Sequence, residues 1–145
     1  MRRTFHSACL TCLWLAAIAP AHASPAQDYM LFCMGCHGAK AEGVPGKVPP
    51  LAHSLGHYMK LPAGRDFVLR VPGASRSVLT DTQLAGVLNW LAKQYSAEEL
   101  SADTPMFTTE EVTAHRHNPL AAVLATRAAV LREMLAAGIP VSGSY

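Results

Sequence analysis

One short stretch constrains this chain more than any other: Cys33-Met34-Gly35-Cys36-His37. Two cysteines separated by two residues and followed directly by a histidine are typical of a covalent attachment site for c-type haem. Each thiol can form a thioether with one vinyl group of the porphyrin, and the adjacent imidazole can bind the iron. The stretch therefore predicts one haem attached at Cys33 and Cys36, with His37 as the proximal iron ligand.

Two other kinds of site also use closely spaced cysteines. A thioredoxin-like redox pair usually accompanies a βαβ pattern, which the sequence lacks. A zinc site needs further cysteine or nearby histidine ligands. Haem attachment is therefore the favoured interpretation of this stretch.

Residues 1–23 have the pattern of a secretory signal peptide. Arg2 and Arg3 supply a positive start, residues 8–19 are apolar, and a small-x-small pattern ends at Ala23. The apolar run is shorter than the roughly 20 residues that cross a bilayer, so an uncleaved anchor is the less favoured alternative. We expect cleavage near Ala23, a periplasmic mature protein and no stable membrane span after cleavage.

Cleavage would also remove Cys9 and Cys12, a second C-x-x-C pair that is followed by Leu13 instead of histidine. Cys33 and Cys36 would then be the only cysteines left, and the haem would use both. The mature chain would carry ten basic and ten acidic side chains. Nucleic acid is not expected as a partner, because such binding needs a basic surface.

The mature chain predicts an all-α fold, because no sustained alternation of apolar and polar residues bounded by hairpin turns is present. Residues 26–36 are compatible with a short helix that ends in the haem motif. Residues 43–50 are rich in glycine and proline and predict a loop. Residues 51–79 are broken by further prolines and glycines, so they predict only short helices or turns.

Residues 81–95 carry the clearest helical pattern, and either Thr80 or Asp81 can cap its start. Apolar side chains recur there at helical spacing: Leu84, Val87, Leu88 and Leu91.

Residues 98–145 predict a C-terminal helical extension beyond the haem domain of residues 24–97. Thr108 begins a capping-box pattern for a short helix, and Pro119 suits the first turn of a longer one that Gly138 would end. The last five residues predict a disordered tail. An apolar stripe on the longer helix must pack on the haem domain or on a partner: Leu120, Leu124, Ala128, Leu131 and Leu135.

The order of these features over residues 26–95 resembles the class I cytochromes c: a helix ending in C-x-x-C-H, a Gly/Pro loop, then a late apolar helix. The resemblance implies a small helical domain around one covalent haem, with the first and last helices crossing. Four apolar side chains could form that crossing: Tyr29, Phe32, Leu88 and Trp90.

The same resemblance implies a role for Pro49-Pro50-Leu51, which matches a Pro-x-Leu motif of the family. In that motif the proline carbonyl orients the proximal histidine, which gives Pro49 the role toward His37. An ordinary rigid loop explains the two prolines equally well.

The second axial ligand is less clear from the sequence. The family uses a methionine thioether, and Met59 is the best placed candidate, although it comes earlier than the family usually has it. Residues 71–79, where the family would place the ligand, contain neither Met nor His. His57 or His53 could replace Met59, or the sixth position could be open.

Other polar side chains have less specific interpretations. Arg65 or Arg70 could pair with a haem propionate, although a surface location is favoured for each. His115 and His117 are expected at the surface of the extension.

Electron transfer is the leading functional interpretation, because no nucleophile with its base, phosphate loop or paired acids can be recognised. We expect a mono-haem electron carrier and not an autonomous enzyme. Its partners would be redox proteins, such as a periplasmic dehydrogenase, an oxidase or another cytochrome. Two alternatives remain open: a haem sensor or catalyst with an open sixth coordination site, and a helical interaction module without haem.

Overall fold

A computed structural model describes residues 23–141, and their regular structure is helical apart from one isolated bridge between Val44 and Val48. The all-α prediction is confirmed. The predicted signal peptide, except for its last residue, and residues 142–145 of the tail lie outside the described residues. The helices are α1 Pro25–Phe32, α2 Met34–His37, α3 Leu55–Tyr58, α4 Pro62–Arg70, α5 Pro72–Ser75, α6 Asp81–Tyr95, a 3₁₀ turn Ala97–Glu99, α7 Thr109–Arg116 and α8 Val123–Ala136. None of the helices in this part of the chain is long and apolar enough to cross a membrane.

The predicted helix over residues 26–36 is in fact two helices, because Cys33 leaves helical geometry at φ −125°. Ser24 caps α1 by accepting a hydrogen bond from the Gln27 backbone, and the Gln27 side chain accepts one from the Ser24 backbone. Pro25 follows in the first turn, where its missing N–H leaves no intrahelical bond unmade. The break at Cys33 starts α2, which carries the second cysteine and His37.

Helix α6 matches its prediction at both ends. Thr80 is the N-cap and forms a capping box with Gln83, and the helix ends at Tyr95. The four predicted apolar residues are all buried.

Helices α1 and α6 cross as the family resemblance implies. Tyr29 and Trp90 lie with their ring centroids 5.5 Å apart. Burial raises the pKa of Tyr29 to about 12, and its hydroxyl donates to the Gly38 carbonyl at 2.6 Å. Phe32 is about half exposed and lies outside the buried core. The Tyr29 bond ties the crossing to the residue directly after the haem motif.

Helices α7 and α8, which lie in the predicted C-terminal extension, pack on the preceding helices: α7 contacts α4 and α6, and α8 contacts α4. Helix α8 begins four residues after Pro119, so the prediction of Pro119 in its first turn is wrong. The predicted stripe is confirmed only in part: Leu120 and Leu131 pack against the core, whereas Leu124, Ala128 and Leu135 are exposed. The helix turns a different face inward, with Arg127, Val130 and Met134 buried and Val123 partly buried.

Gly64 allows α4 to approach α3 closely, because a Cβ at this position would clash with the backbone carbonyl of Tyr58. Replacing Gly64 with alanine should lower the free energy of unfolding by roughly 1–3 kcal/mol, since backbone atoms must move. Gly86→Ala is the matched control, because its Cβ would meet only Pro25 Cγ at an ordinary 3.6 Å. The control should be neutral or stabilising by up to about 1 kcal/mol. Denaturant unfolding of both variants checks the difference, and equal effects would contradict the close approach.

Candidate cofactor site

A cavity of about 300 Å³ lies against the α1–α2 junction, the inner face of α6 and the residues between α4 and α6. Its walls are mainly apolar. Leu84, Val87, Leu88 and Leu91 of α6 form one of them. A mostly apolar cavity with a few polar groups is the usual form of a cofactor site.

Cys33, Cys36 and His37 all line this cavity. Cys33 is partly buried and Cys36 is exposed, and neither forms a disulfide. Burial raises the pKa of Cys33, so its thiol is protonated at neutral pH. The backbone N–H groups of Cys36 and His37 both donate to the Cys33 carbonyl, at 3.2 and 3.1 Å. One tight turn therefore holds both thiols and the imidazole at the same cavity.

The His37 side chain is suited to bind a metal ion. Burial lowers its pKa, and the backbone carbonyl of Pro49 raises it by a smaller amount. The imidazole is therefore neutral at pH 7 and can offer a lone pair. The Nδ1 atom is buried, and none of its contacts with described residues meets the usual distance and angle limits of a hydrogen bond. The contact with the Pro49 carbonyl is therefore weak.

The loop that carries Pro49 is fastened to the haem motif by backbone hydrogen bonds. Gly43 donates to the His37 carbonyl at 2.8 Å, and Leu51 donates to the Ala41 carbonyl at 2.9 Å. Gly43 has φ +70°, and a Cβ there would clash with the Val48 carbonyl. These contacts hold Pro49 at the cavity wall. This is the position that the Pro-x-Leu resemblance implies for a proline that orients His37.

The structure does not bring Met59 to the cavity. Met59 is 1% exposed and packs in the hydrophobic core, outside the cavity wall. His57 also lies outside the wall, and His53 is exposed and pairs with Glu99 at 3.2 Å. The proposed distal ligands therefore receive no support from the geometry.

Arg65 and Arg70 also lie away from the cavity. Arg65 Nε donates to Glu111 Oε1 at 2.6 Å, and Arg70 donates to Asp66 and to the Asn118 carbonyl. Both arginines hold the extension on α4, so neither is available to a propionate. His115 and His117 are 43% and 67% exposed, as expected for surface residues.

Arg127 lines the cavity instead, and sequence reasoning missed it. It is 8% exposed and projects from α8 of the extension. One signal was present: Arg127 interrupts the apolar series of Val123, Val130 and Met134 at helical spacing. A charged side chain inside such a series indicates a specific buried partner.

The residues at the cavity fit a covalently attached haem. Two thiols and a neutral imidazole share one wall, apolar side chains form most of the rest, and Arg127 supplies a cation for a propionate. This set of donors does not match a closed zinc site, which would need a fourth ligand of the same kind.

Comparison with known proteins agrees with this interpretation of the site. No family model matches the chain. A cytochrome c-552 of Thermus thermophilus is 30% identical over 130 residues, which cover 77% of this chain and 84% of the relative. A second cytochrome c-552 of Thermus thermophilus is 30% identical over 98 residues, covering 55% of this chain and 75% of the relative.

Proposed function

The chain belongs to the class I c-type cytochromes, with covalently bound haem c as its cofactor, and we propose that it carries single electrons between redox proteins of the periplasm. The placement of Cys33, Cys36 and His37 at one apolar cavity is the observation that carries the proposal. Such a site needs no substrate pocket, because the redox change takes place at the haem itself.

The residues at the cavity have different roles in electron transfer. Cys33 and Cys36 hold the porphyrin, and His37 binds the iron with Pro49 beside its ring. When bound, the haem supplies a centre that gains and loses one electron. The apolar wall of α6 excludes water and keeps the surroundings from rearranging when the charge changes.

Two basic side chains of the described residues line the cavity, Lys47 and Arg127. Arg127 is the buried one, so its charge is screened by water much less than that of exposed Lys47. A positive charge beside the haem favours the reduced state, because the oxidised state carries one more positive charge. Arg127 is therefore proposed to pair with a propionate and to raise the reduction potential.

Replacing Arg127 with glutamine should lower the reduction potential by tens of millivolts, because the propionate loses its cation. Arg132→Gln is the matched control on the same helix, since Arg132 is exposed, and it should change the potential little. Spectroelectrochemical titration of both holoproteins measures the two potentials. Equal potentials in the two variants would contradict a role for Arg127 at the haem.

The periplasmic location rests on the predicted signal peptide and on haem attachment. Fractionation of the native cell tests it: the periplasm should contain a haem-stained protein whose N-terminus is Ser24. Reduced holoprotein should then be oxidised by a fresh periplasmic or membrane fraction but not by a boiled one. A haem protein confined to the cytoplasm, or one that no fraction oxidises, would overturn the proposal.

A further inference from the structure

The side chains around the cavity restrict which residue can bind the iron opposite His37. The residues that line the cavity are the candidates for a second axial ligand. Among residues 23–141 the wall contains one imidazole, that of His37, and no thioether. The other strong donor side chains at the wall are the Tyr58 phenol and the Lys47 amine, so for the second position the wall offers neither of the two ligands that cytochromes c use, His and Met.

Each methionine of the described residues is held elsewhere. Met59 is enclosed in the core, and Met134 is 1% exposed on the inner face of α8. Met30 is 51% exposed on α1, and Met34 lies within three residues of His37. Met106 lies in the extension, where its backbone carbonyl accepts a hydrogen bond from Arg65.

The segment between α4 and α6 contributes small side chains to the cavity. Val71, Gly73, Ala74 and Ser77 line it, and Val123 of α8 lies in the same wall. None of these side chains carries a strong ligand for iron. The described residues between α4 and α6 therefore place no thioether or imidazole at the cavity.

We propose that residues 23–141 supply no thioether or imidazole to the sixth iron position, which binds a small uncharged diatomic ligand such as carbon monoxide. Carbon monoxide carries no charge, so it enters a mainly apolar cavity without the desolvation cost of an ion. The inference rests on haem attachment at Cys33 and Cys36, but not on the identity of any redox partner. The protein could still carry electrons, and its potential would respond to such ligands.

Carbon monoxide titration of the dithionite-reduced, full-length holoprotein tests the inference. We expect binding of one CO per haem without denaturant, seen as a shift of the Soret band, and no methionine-to-iron band in the oxidised spectrum. A protein with covalent haem that shows no shift in CO-saturated buffer would overturn this inference alone. Absence of covalent haem on a denaturing gel would overturn the proposed function as well.

Conservative variants identify a protein ligand if one is present. Met59→Leu removes the sulfur at nearly constant volume, and Met134→Leu is the matched control for a buried methionine outside the cavity. We expect both variants to keep the spectrum and CO affinity of the unsubstituted protein. His57→Gln and Tyr58→Phe should do the same. A change of axial ligation in Met59→Leu, His57→Gln or Tyr58→Phe, but not in Met134→Leu, would identify the ligand and overturn the inference.

Discussion

Replacing Cys33 and Cys36 together with alanine is expected to abolish covalent haem and to leave a chain that is largely unfolded at 37 °C. At roughly 24 cal/mol per Å³, an empty cavity of about 300 Å³ would cost up to about 7 kcal/mol. That figure is comparable with the whole stability of a typical domain, about 5–15 kcal/mol. A haem stain after denaturing electrophoresis and thermal unfolding by circular dichroism measure the two effects.

Cys9→Ala/Cys12→Ala is the matched control, because it removes the other C-x-x-C pair of the precursor. Full haem content is expected for this control. Loss of haem in the control, or a stable haem-stained product from the Cys33/Cys36 variant, would contradict the assignment of the attachment site.

Replacing Arg116 with methionine is expected to lower the free energy of unfolding by about 2–4 kcal/mol. Arg116 is 4% exposed and joins α7 to the start of α6. Its guanidinium donates to the Leu79 carbonyl at 2.8 Å, to Asp81 Oδ1 at 3.0 Å and to the Ser77 carbonyl. The variant leaves these acceptors without their donor, and denaturant unfolding of the holoprotein measures the loss.

Arg132→Met supplies the control, because Arg132 is exposed, and its effect on the free energy of unfolding should stay within about 0.5 kcal/mol.

The pH dependence of stability provides a second measurement of the same contact. A hydrogen bond from Thr113, together with the charge of Arg116, lowers the pKa of Asp81 in the folded protein. The resulting stability is fully present above the ordinary pKa of an aspartate and is lost as pH falls through the lowered pKa of the folded protein. Arg116→Met should weaken this acid dependence, and an unchanged profile would contradict the coupling.

The sequence predicted the elements whose signals are local. Thr80 and Gln83 carry the capping chemistry of α6, and its apolar spacing points the right residues inward. The C-x-x-C-H stretch is also a local signal, because five consecutive residues contain both thiols and the imidazole. Its place in the site could therefore be predicted without knowing any distant contact.

The remaining features depend on contacts between distant parts of the chain. The predicted stripe on α8 followed the leucines, but the buried residues of that helix are Arg127, Val130 and Met134. Arg65 donates hydrogen bonds to Glu111, which lies 46 residues further along the chain. Arg127 lines the cavity although it belongs to α8. Helical spacing limits which residues share a face, but it cannot say which face a neighbouring helix covers.

Redox titration of the purified holoprotein, monitored by its haem absorbance, tests the central claim most directly. An electron carrier built on one haem should give a single, fully reversible step that follows the Nernst relation for one electron. Covalent haem that shows no reversible step, or a step that fits only a two-electron change, would contradict the account.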